Sequence, residues 1–200
     1  MTNIKYQLIQ NIIKKKPVFR PRDLEPYGIP REYLKRLCEQ GIIEKVRRGL
    51  YVYSGLEIDE NFSLVQVSKM IPNSTICLLS ALHFHHLTTQ LPFEVWIAIS
   101  NQAHYPKVDD LPVRVWHFSG QALTTGRQRY TVHGVNLSVY NPAKTIADCF
   151  KYRHKIGLEV ALEALREGWR EHRCTMAELQ YYGKICRVAN IMQPYLEFLT

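Results

Sequence analysis

Three histidines close together in the sequence, His83, His85 and His86, are the first candidates for chemistry, because imidazole is a common metal ligand. A zinc site of the H-E-x-x-H type places two histidines four residues apart on a helix, with a glutamate as general base. No glutamate completes that pattern here. On a helix His83 and His86 would share a face, and His85 would point elsewhere. The spacing therefore favours a packed or exposed histidine cluster over a metal site.

Asp and Glu side chains are the second candidates, because carboxylates hold the metal ion in nucleases that cleave nucleic acid. A nuclease of the restriction-enzyme type needs a carboxylate near an acid-x-Lys pair, and no Asp or Glu is followed two positions later by lysine. Asp109 and Asp110 precede Leu-Pro in a predicted loop, where solvated carboxylates are expected. The phosphate loop, the nucleophile elbow and the dinucleotide fingerprint are also absent. We therefore predict that the chain is not an enzyme and has no catalytic residue, metal or cofactor.

Positive charge is the strongest functional signal, because it is concentrated at one end of the chain. The net charge is +8, and residues 1–55 contain 12 Lys and Arg against 5 Asp and Glu. A concentrated basic module attracts a polyanion, and double-stranded DNA is the predicted partner. The alternative is a solvated basic surface without a partner. Six side chains are predicted to contact DNA: Arg31, Lys35, Arg36, Lys45, Arg47 and Arg48.

The local patterns around these cations predict a winged helix-turn-helix. Apolar residues recur at helical spacing over 3–15, a short helix suits 22–26, and a third helix is predicted from Pro30 to Gln40, ended by Gly41. Two β-rich runs around Arg47-Arg48-Gly49 predict a hairpin, the wing. In this motif the second helix of the pair enters the major groove, and the wing tip reaches phosphates.

Two alternatives stay open for this module. The first is a protein-interaction winged helix, although its front would more often be acidic or apolar. The second concerns the contacts themselves: Arg31, Lys35 and Arg36 could pair with guanine or could hold phosphates. The operator sequence therefore cannot be read from these residues.

Together with the rest of the chain, these patterns predict an α+β fold. It comprises the winged helix-turn-helix over 1–55, a polar linker, and a mixed α/β domain over 60–200. The segment from Glu94 to Ser100 is apolar on both alternating faces, as in a strand covered from both sides. Asn141-Pro142 predicts a helix N-terminus, and Thr175-x-x-Glu178 predicts a capping box. By spacing alone, Lys144 and Asp148 would form an exposed helix pair worth a few tenths of a kcal/mol.

The five scattered cysteines contain no C-x-x-C, which argues against a disulfide framework and a zinc site. No apolar run approaches the length of about 18 residues that a membrane span needs. The basic N-terminal segment lacks a small-residue cleavage site. Together these features predict a cytoplasmic protein with no membrane partner.

Four stretches together resemble the AbiEi family, the antitoxins of type IV toxin–antitoxin systems. They are residues 47–51 at the wing, residues 80–88, the strand 94–100 and residues 141–153, of which the last is the most specific. The resemblance implies a winged helix that binds inverted repeats at its own promoter and represses its operon. It also implies a functional partner, a nucleotidyltransferase-like toxin, with no need for a stable complex. Self-association on DNA stays open.

The resemblance also gives residues 144–153 a role, as a candidate surface for antitoxicity. That surface would comprise Lys144, Thr145, Asp148, Lys151 and Arg153. Two other functions remain as alternatives. One is a plain winged-helix transcription factor whose second domain binds an effector, with His83, His85 or Trp96 near the pocket. The other is a DNA-processing nuclease with an unfamiliar site.

Overall fold

A computed structural model describes residues 3–106 and 111–199. Asp109 and Asp110, predicted as solvated, lie outside the described residues. The chain forms two compact units. The described part of the first unit covers residues 3–72 and 130–137, and that of the second covers 73–106, 111–129 and 138–199.

The first unit confirms the winged helix-turn-helix. Its elements are α1 (Asn3–Lys15), β1 (Val18–Phe19), two 3-10 turns (Pro21–Asp23 and Glu25–Tyr27), α2 (Glu32–Glu39), β2 (Ile43–Arg47), β3 (Leu50–Tyr53) and α3 (Phe62–Met70). The sheet is antiparallel, in the order β1-β3-β2. The predicted second helix is thus a pair of 3-10 turns, and the predicted third helix is α2. The two-residue strand β1 was not predicted.

Two glycines allow the chain to turn at the ends of these elements. Gly41, which follows α2, has φ +68°, and Gly49 in the wing turn has φ +74°. Residues with a Cβ rarely adopt this left-handed region, so glycine is the residue that ends α2 and reverses the chain between β2 and β3 without strain.

The core of the first unit is an apolar cluster to which α1, α2 and the sheet each contribute. Its fully buried members are Ile9, Ile13, Phe19, Leu24, Ile29, Leu34, Leu37 and Ile43. Leu34 and Leu37 are three residues apart, so they lie on the same side of α2 and fix which side of that helix faces solvent. The core thereby orients the basic front.

The first unit extends past the domain boundary that was predicted between residues 55 and 60. Within it, Lys69 on α3 pairs with Asp23 at 2.9 Å between Nζ and Oδ2. The Arg20 guanidinium also donates to the Lys69 carbonyl at 3.5 Å. These contacts tie α3 to the 3-10 turns, so the compact unit runs on to Pro72.

The remaining elements alternate between helices and strands. They are β4 (Thr75–Ile76), α4 (Leu78–Phe84), β5 (Val95–Ser100), β6 (Val113–Phe118), α5 (Gly120–Thr124), β7 (Arg127–Val132), β8 (Val135–Tyr140), α6 (Pro142–Lys151), α7 (Arg153–Ile156), α8 (Leu158–Arg170), α9 (Met176–Cys186) and α10 (Ala189–Glu197). The sheet order is β6-β5-β4-β8-β7. Strand β5 is parallel to β6 and antiparallel to β4, which is parallel to β8. The fold is therefore mixed α and β, as predicted.

Helix α6 forms the centre of the second unit. It begins where Asn141 Oδ1 accepts a hydrogen bond from the Lys144 amide at 2.8 Å, the N-cap that the sequence predicted. The apolar face of Ala143, Ile146, Ala147 and Phe150 is buried, with every member at most 2% exposed. Helices α4, α8 and α9 all pack against α6, so more than one face of the helix is covered.

Candidate functional site

Helix α2 presents a basic front to solvent. Arg31, at its N-cap, and Lys35 and Arg36 within it are exposed, whereas Leu34 and Leu37 on the opposite side are 4% and 2% exposed. Glu32 shares the exposed side. The predicted separation into an apolar back and a mostly basic front is therefore present, and the three cations lie where a duplex could reach them.

Among the residues that the structure describes, the partners of the α2 cations are weak. Arg31 Nη2 lies 3.4 Å from Glu25 Oε1, and Lys35 Nζ lies 4.0 Å from Glu39 Oε1, with all four side chains more than half exposed. The Arg36 guanidinium lies 5.9 Å from the centre of the Tyr33 ring. Exposed ion pairs contribute about 0–1 kcal/mol. These groups can exchange such partners for phosphates at little cost.

The wing adds two exposed cations, Lys45 and Arg48. Lys45 lies on β2, which packs beside α2. Burial raises the pKa of the Cys38 thiol on α2, and the Lys45 charge opposes that shift. The fold thus brings a wing cation close to α2, although the two are separated by a turn in the sequence.

Arg47 differs from its neighbour Arg48, because it is half-buried and has a partner inside the first unit. Its Nε donates to Gln66 Oε1 at 2.7 Å, and Gln66 on α3 is 7% exposed. This bond ties the wing to α3. A DNA contact from Arg47 stays a prediction, but the structure also gives the residue a structural role that the sequence did not indicate.

Replacing Arg47 by alanine is expected to lower the free energy of unfolding by about 1–3 kcal/mol, because the buried Gln66 amide loses a charged hydrogen-bond donor. Arg48→Ala, at an exposed position, should change it by less than about 0.5 kcal/mol. Urea unfolding followed by far-ultraviolet circular dichroism measures both. Equal stability of the two variants would contradict the structural role of Arg47.

The interpretation of residues 144–153 as a continuous exposed surface is wrong for three of its five members. Lys144, Thr145 and Asp148 are 0% exposed. Lys144 Nζ lies 2.5 Å from Asp148 Oδ2, so the predicted surface pair is a buried ion pair. Periodicity placed these residues beside the apolar face of α6. Because α9 also packs on that helix and its Cys186 contacts Asp148, the neighbouring side is also covered.

Polar and aromatic partners surround this buried pair. The Lys144 ammonium lies 4.2 Å from the centre of the Tyr140 ring, a cation–π distance. The Cys186 thiol on α9 donates to Asp148 Oδ1 at 3.2 Å. Burial raises the pKa of Asp148, and the Lys144 charge opposes that shift. The Thr145 hydroxyl donates to the Tyr140 carbonyl at 3.2 Å. The pair therefore joins α6 to α9.

Lys151 and Arg153, the other two members of the predicted surface, do reach solvent. Lys151 is exposed, and Arg153 is half-buried with Nη1 donating to the Phe150 carbonyl at 3.0 Å. The motif at residues 141–153 thus divides into a buried half and a half that faces water. Sequence reasoning missed Gln66, Tyr140 and Cys186. Gln66 and Cys186 carried no local signal because each is distant along the chain from the residue that it contacts.

The three histidines do not act as a group. His83 is half-buried, His86 is exposed, and His85 is buried, with Nε2 and the Tyr140 carbonyl oxygen 2.7 Å apart. Within residues 3–106 and 111–199 no set of three metal-ligating side chains comes together. For His85 the geometry requires Nε2–H to donate, which a neutral ring does in one tautomer.

Burial lowers the pKa of His85 below its ordinary value of 6.5, opposed by the bond to Tyr140. The unfolded chain then binds a proton more readily than the folded one, so stability is full above pH 6.5 and falls as the pH drops toward the lower folded pKa. We expect His85→Asn to flatten the fall in the free energy of unfolding below pH 6.5, because the buried imidazole is removed. The midpoint of urea unfolding, measured at a series of pH values from 6.5 downward, tests this expectation. An unaltered slope of midpoint against pH in H85N would refute the assignment of the effect to His85.

Comparison with known proteins supports the first unit most directly. Residues 6–54 match the sequence model of a family described as transcriptional regulator, AbiEi antitoxin. The resemblance predicted from the sequence is thus confirmed over that segment, which contains α2 and the wing. The match covers residues 6–54 and does not extend into the second unit. No curated protein matches the chain.

A solved structure has a similar fold. The crystal structure of the RV2827C protein from Mycobacterium tuberculosis superposes with a TM-score of 0.57 and 13% sequence identity. The match covers 87% of this chain and 69% of that one. Such a low identity shows the fold alone. No helix among the described residues combines the length and apolar character needed to cross a membrane.

Proposed function

We propose that this protein is the antitoxin of a type IV toxin–antitoxin system, and that its first unit represses its own operon by binding promoter DNA. The observation that carries the proposal is the exposed basic front of α2, within a segment that matches antitoxin transcriptional regulators. The proposal assigns the chain a binding role and no catalytic step. Its functional partner is a nucleotidyltransferase-like toxin, without a stable complex.

The mechanism follows from the geometry of the first unit. Helix α2 enters the major groove with Arg31, Lys35 and Arg36 toward the duplex, where arginine can bond to guanine or to phosphate. Lys45 and Arg48 on the wing contact neighbouring phosphates. Each cation that neutralises a phosphate releases condensed counterions, so the affinity falls as salt rises. Inverted repeats would seat two copies of the chain, one on each half-site.

A salt titration tests the wing contact. Arg48→Ala is expected to weaken binding to all sequences and to lower the slope of log affinity against log salt by about one unit, because one phosphate contact is lost. Fluorescence anisotropy with the duplex upstream of the protein's own gene, and with a scrambled duplex of equal length, measures the slope. Arg166→Ala, at an exposed arginine of the second unit, is the control. An unchanged slope in R48A would remove Arg48 from the interface.

Two experiments in cells test repression and antitoxicity separately. A reporter under the upstream promoter should be repressed by the protein and released by the double variant Lys35→Ala/Arg36→Ala. Co-expression with the neighbouring gene tests antitoxicity, since the same variant should still rescue growth. A neighbouring gene that is not toxic, or a promoter that ignores the protein, would overturn the corresponding half of the proposal.

A second candidate function is a transcription factor whose second domain binds an effector. One observation favours it, a cavity in the second unit lined by Lys151, Arg153, Lys184 and Arg187. His83, His85 and Trp96, which the sequence suggested for a pocket, are not among its lining residues. A small molecule that changes operator affinity would support this function over antitoxicity.

A further inference from the structure

The cavity in the second unit has a volume of about 630 Å³. Its walls come from the start of α5, the end of α6 with α7, and the junction of α9 and α10. Pockets that bind small molecules usually measure about 300–1,000 Å³. The space therefore suits a ligand of the size of a nucleotide.

The cavity is strongly positive. Four of its lining residues are cations, Lys151, Arg153, Lys184 and Arg187, and none of its lining residues is acidic. Within residues 3–106 and 111–199, none of the four forms an ion pair. Three are exposed, and Arg153 uses one nitrogen on the Phe150 carbonyl, which leaves its other donors available. Four like charges around one space repel one another unless an anion binds among them.

The walls of the cavity are fixed by the buried ion pair. Cys186 lines the cavity, and its thiol donates to Asp148, which pairs with Lys144. The Asp148 charge is paired with the buried Lys144 ammonium, and Asp148 is not among the lining residues of the cavity. The buried half of the motif holds α6 against α9, and the other half supplies Lys151 and Arg153 to the cavity.

We propose that this cavity binds the phosphate groups of a nucleotide. Phosphate oxygens are strong acceptors that arginine binds with two parallel hydrogen bonds and lysine as a point charge. Ile185, Val188 and Ile191 provide an apolar wall for the uncharged part of the ligand. The site lies in the second unit, so the inference does not depend on DNA binding by the first unit.

Isothermal titration calorimetry of the full chain with ATP, adenosine and inorganic tripolyphosphate tests the proposal. ATP should bind saturably and adenosine should not, since the cavity recognises phosphate. Lys151→Gln and Arg187→Asn should each weaken ATP binding roughly ten- to a hundredfold, the loss expected for a hydrogen bond to a charged group. Asparagine is chosen at Arg187, whose φ is +60°, because it tolerates the left-handed region.

The controls separate this site from the rest of the protein. Lys155→Gln and Arg166→Asn, at exposed positions outside the cavity, should bind ATP as the wild type does. Lys35→Ala/Arg36→Ala tests for phosphate binding at the DNA-binding front and should also leave ATP affinity unchanged. Circular dichroism verifies that each variant is folded, and Lys151→Arg should retain binding.

Three results would overturn the proposal. They are no saturable binding of ATP, equal affinity for adenosine, and ATP binding that the cavity variants leave intact. A short single-stranded oligonucleotide is titrated in parallel. If the oligonucleotide binds, K151Q abolishes that binding, and ATP does not bind, then the cavity takes the end of a nucleic-acid strand. The proposed nucleotide ligand is then wrong. Tripolyphosphate binding that is lost in the same variants supports phosphate recognition.

Discussion

Replacing Asp148 by alanine is expected to lower the free energy of unfolding of the second unit by about 3–5 kcal/mol, because Lys144 would be left as an uncompensated buried charge. Both side chains are fully covered, and Lys144 Nζ lies 2.5 Å from Asp148 Oδ2. The Cys186 thiol would also lose its acceptor. This is the largest effect on stability that we predict for a single substitution.

Tryptophan fluorescence during urea unfolding measures this effect, since the three tryptophans, Trp96, Trp116 and Trp169, all belong to the second unit. Glu159→Ala, at an exposed acid on α8, is the matched control and should cost less than about 0.5 kcal/mol. The double variant Lys144→Met/Asp148→Leu should recover most of the loss, since an apolar pair of similar volume often replaces a buried ion pair without cost. A loss below about 1 kcal/mol in D148A would refute this account of the pair.

The double variant Lys35→Ala/Arg36→Ala is expected to weaken binding to the upstream duplex by about a hundredfold or more. Each contact from such a side chain contributes roughly 1–3 kcal/mol. The fold should survive, because both side chains are exposed and alanine is the best helix former. The ion pair of Lys35 with Glu39 is exposed and contributes little.

Glu32→Ala on the same front is the control for this variant. Removal of a negative charge beside the duplex should leave the affinity equal or raise it. Anisotropy titrations at one fixed salt concentration measure all three proteins, and circular dichroism verifies the helix content. Wild-type affinity in the double variant would show that α2 does not face the DNA, and would leave the exposed basic front without its proposed role.

The patterns that the sequence predicted well are local ones. Helix α2 and the turn at Gly41 follow from spacings of three and four residues and from a glycine in the left-handed region, and strand β5 lies within the predicted segment Glu94 to Ser100. The N-cap at Asn141 and the capping box at Thr175 and Glu178 are also confirmed. Each of these features depends on residues within about four positions of one another, so a short stretch of sequence is enough to predict it.

Elements of two residues carry too few side chains to show a period. Strands β1 and β4 were missed for that reason, and each is defined by the strand beside it in the sheet. The extent of the first unit was missed for a related reason. Residues 62–70 form α3, but nothing in their sequence indicates that Lys69 would pair with Asp23 or that Gln66 would accept from Arg47.

By itself the sequence determined a basic winged helix-turn-helix with its cations on the front of α2 and on the wing, because periodicity and charge are properties of adjacent residues. Only the tertiary structure decided that Lys144 and Asp148 are buried, that Arg47 is bound to α3, and that Lys151 and Arg187 line one cavity. A helical pattern shows which side chains share a face. Whether a second or third face is covered depends on which distant helices pack there, and here α9, through Cys186, covers the side of α6 that spacing assigned to solvent.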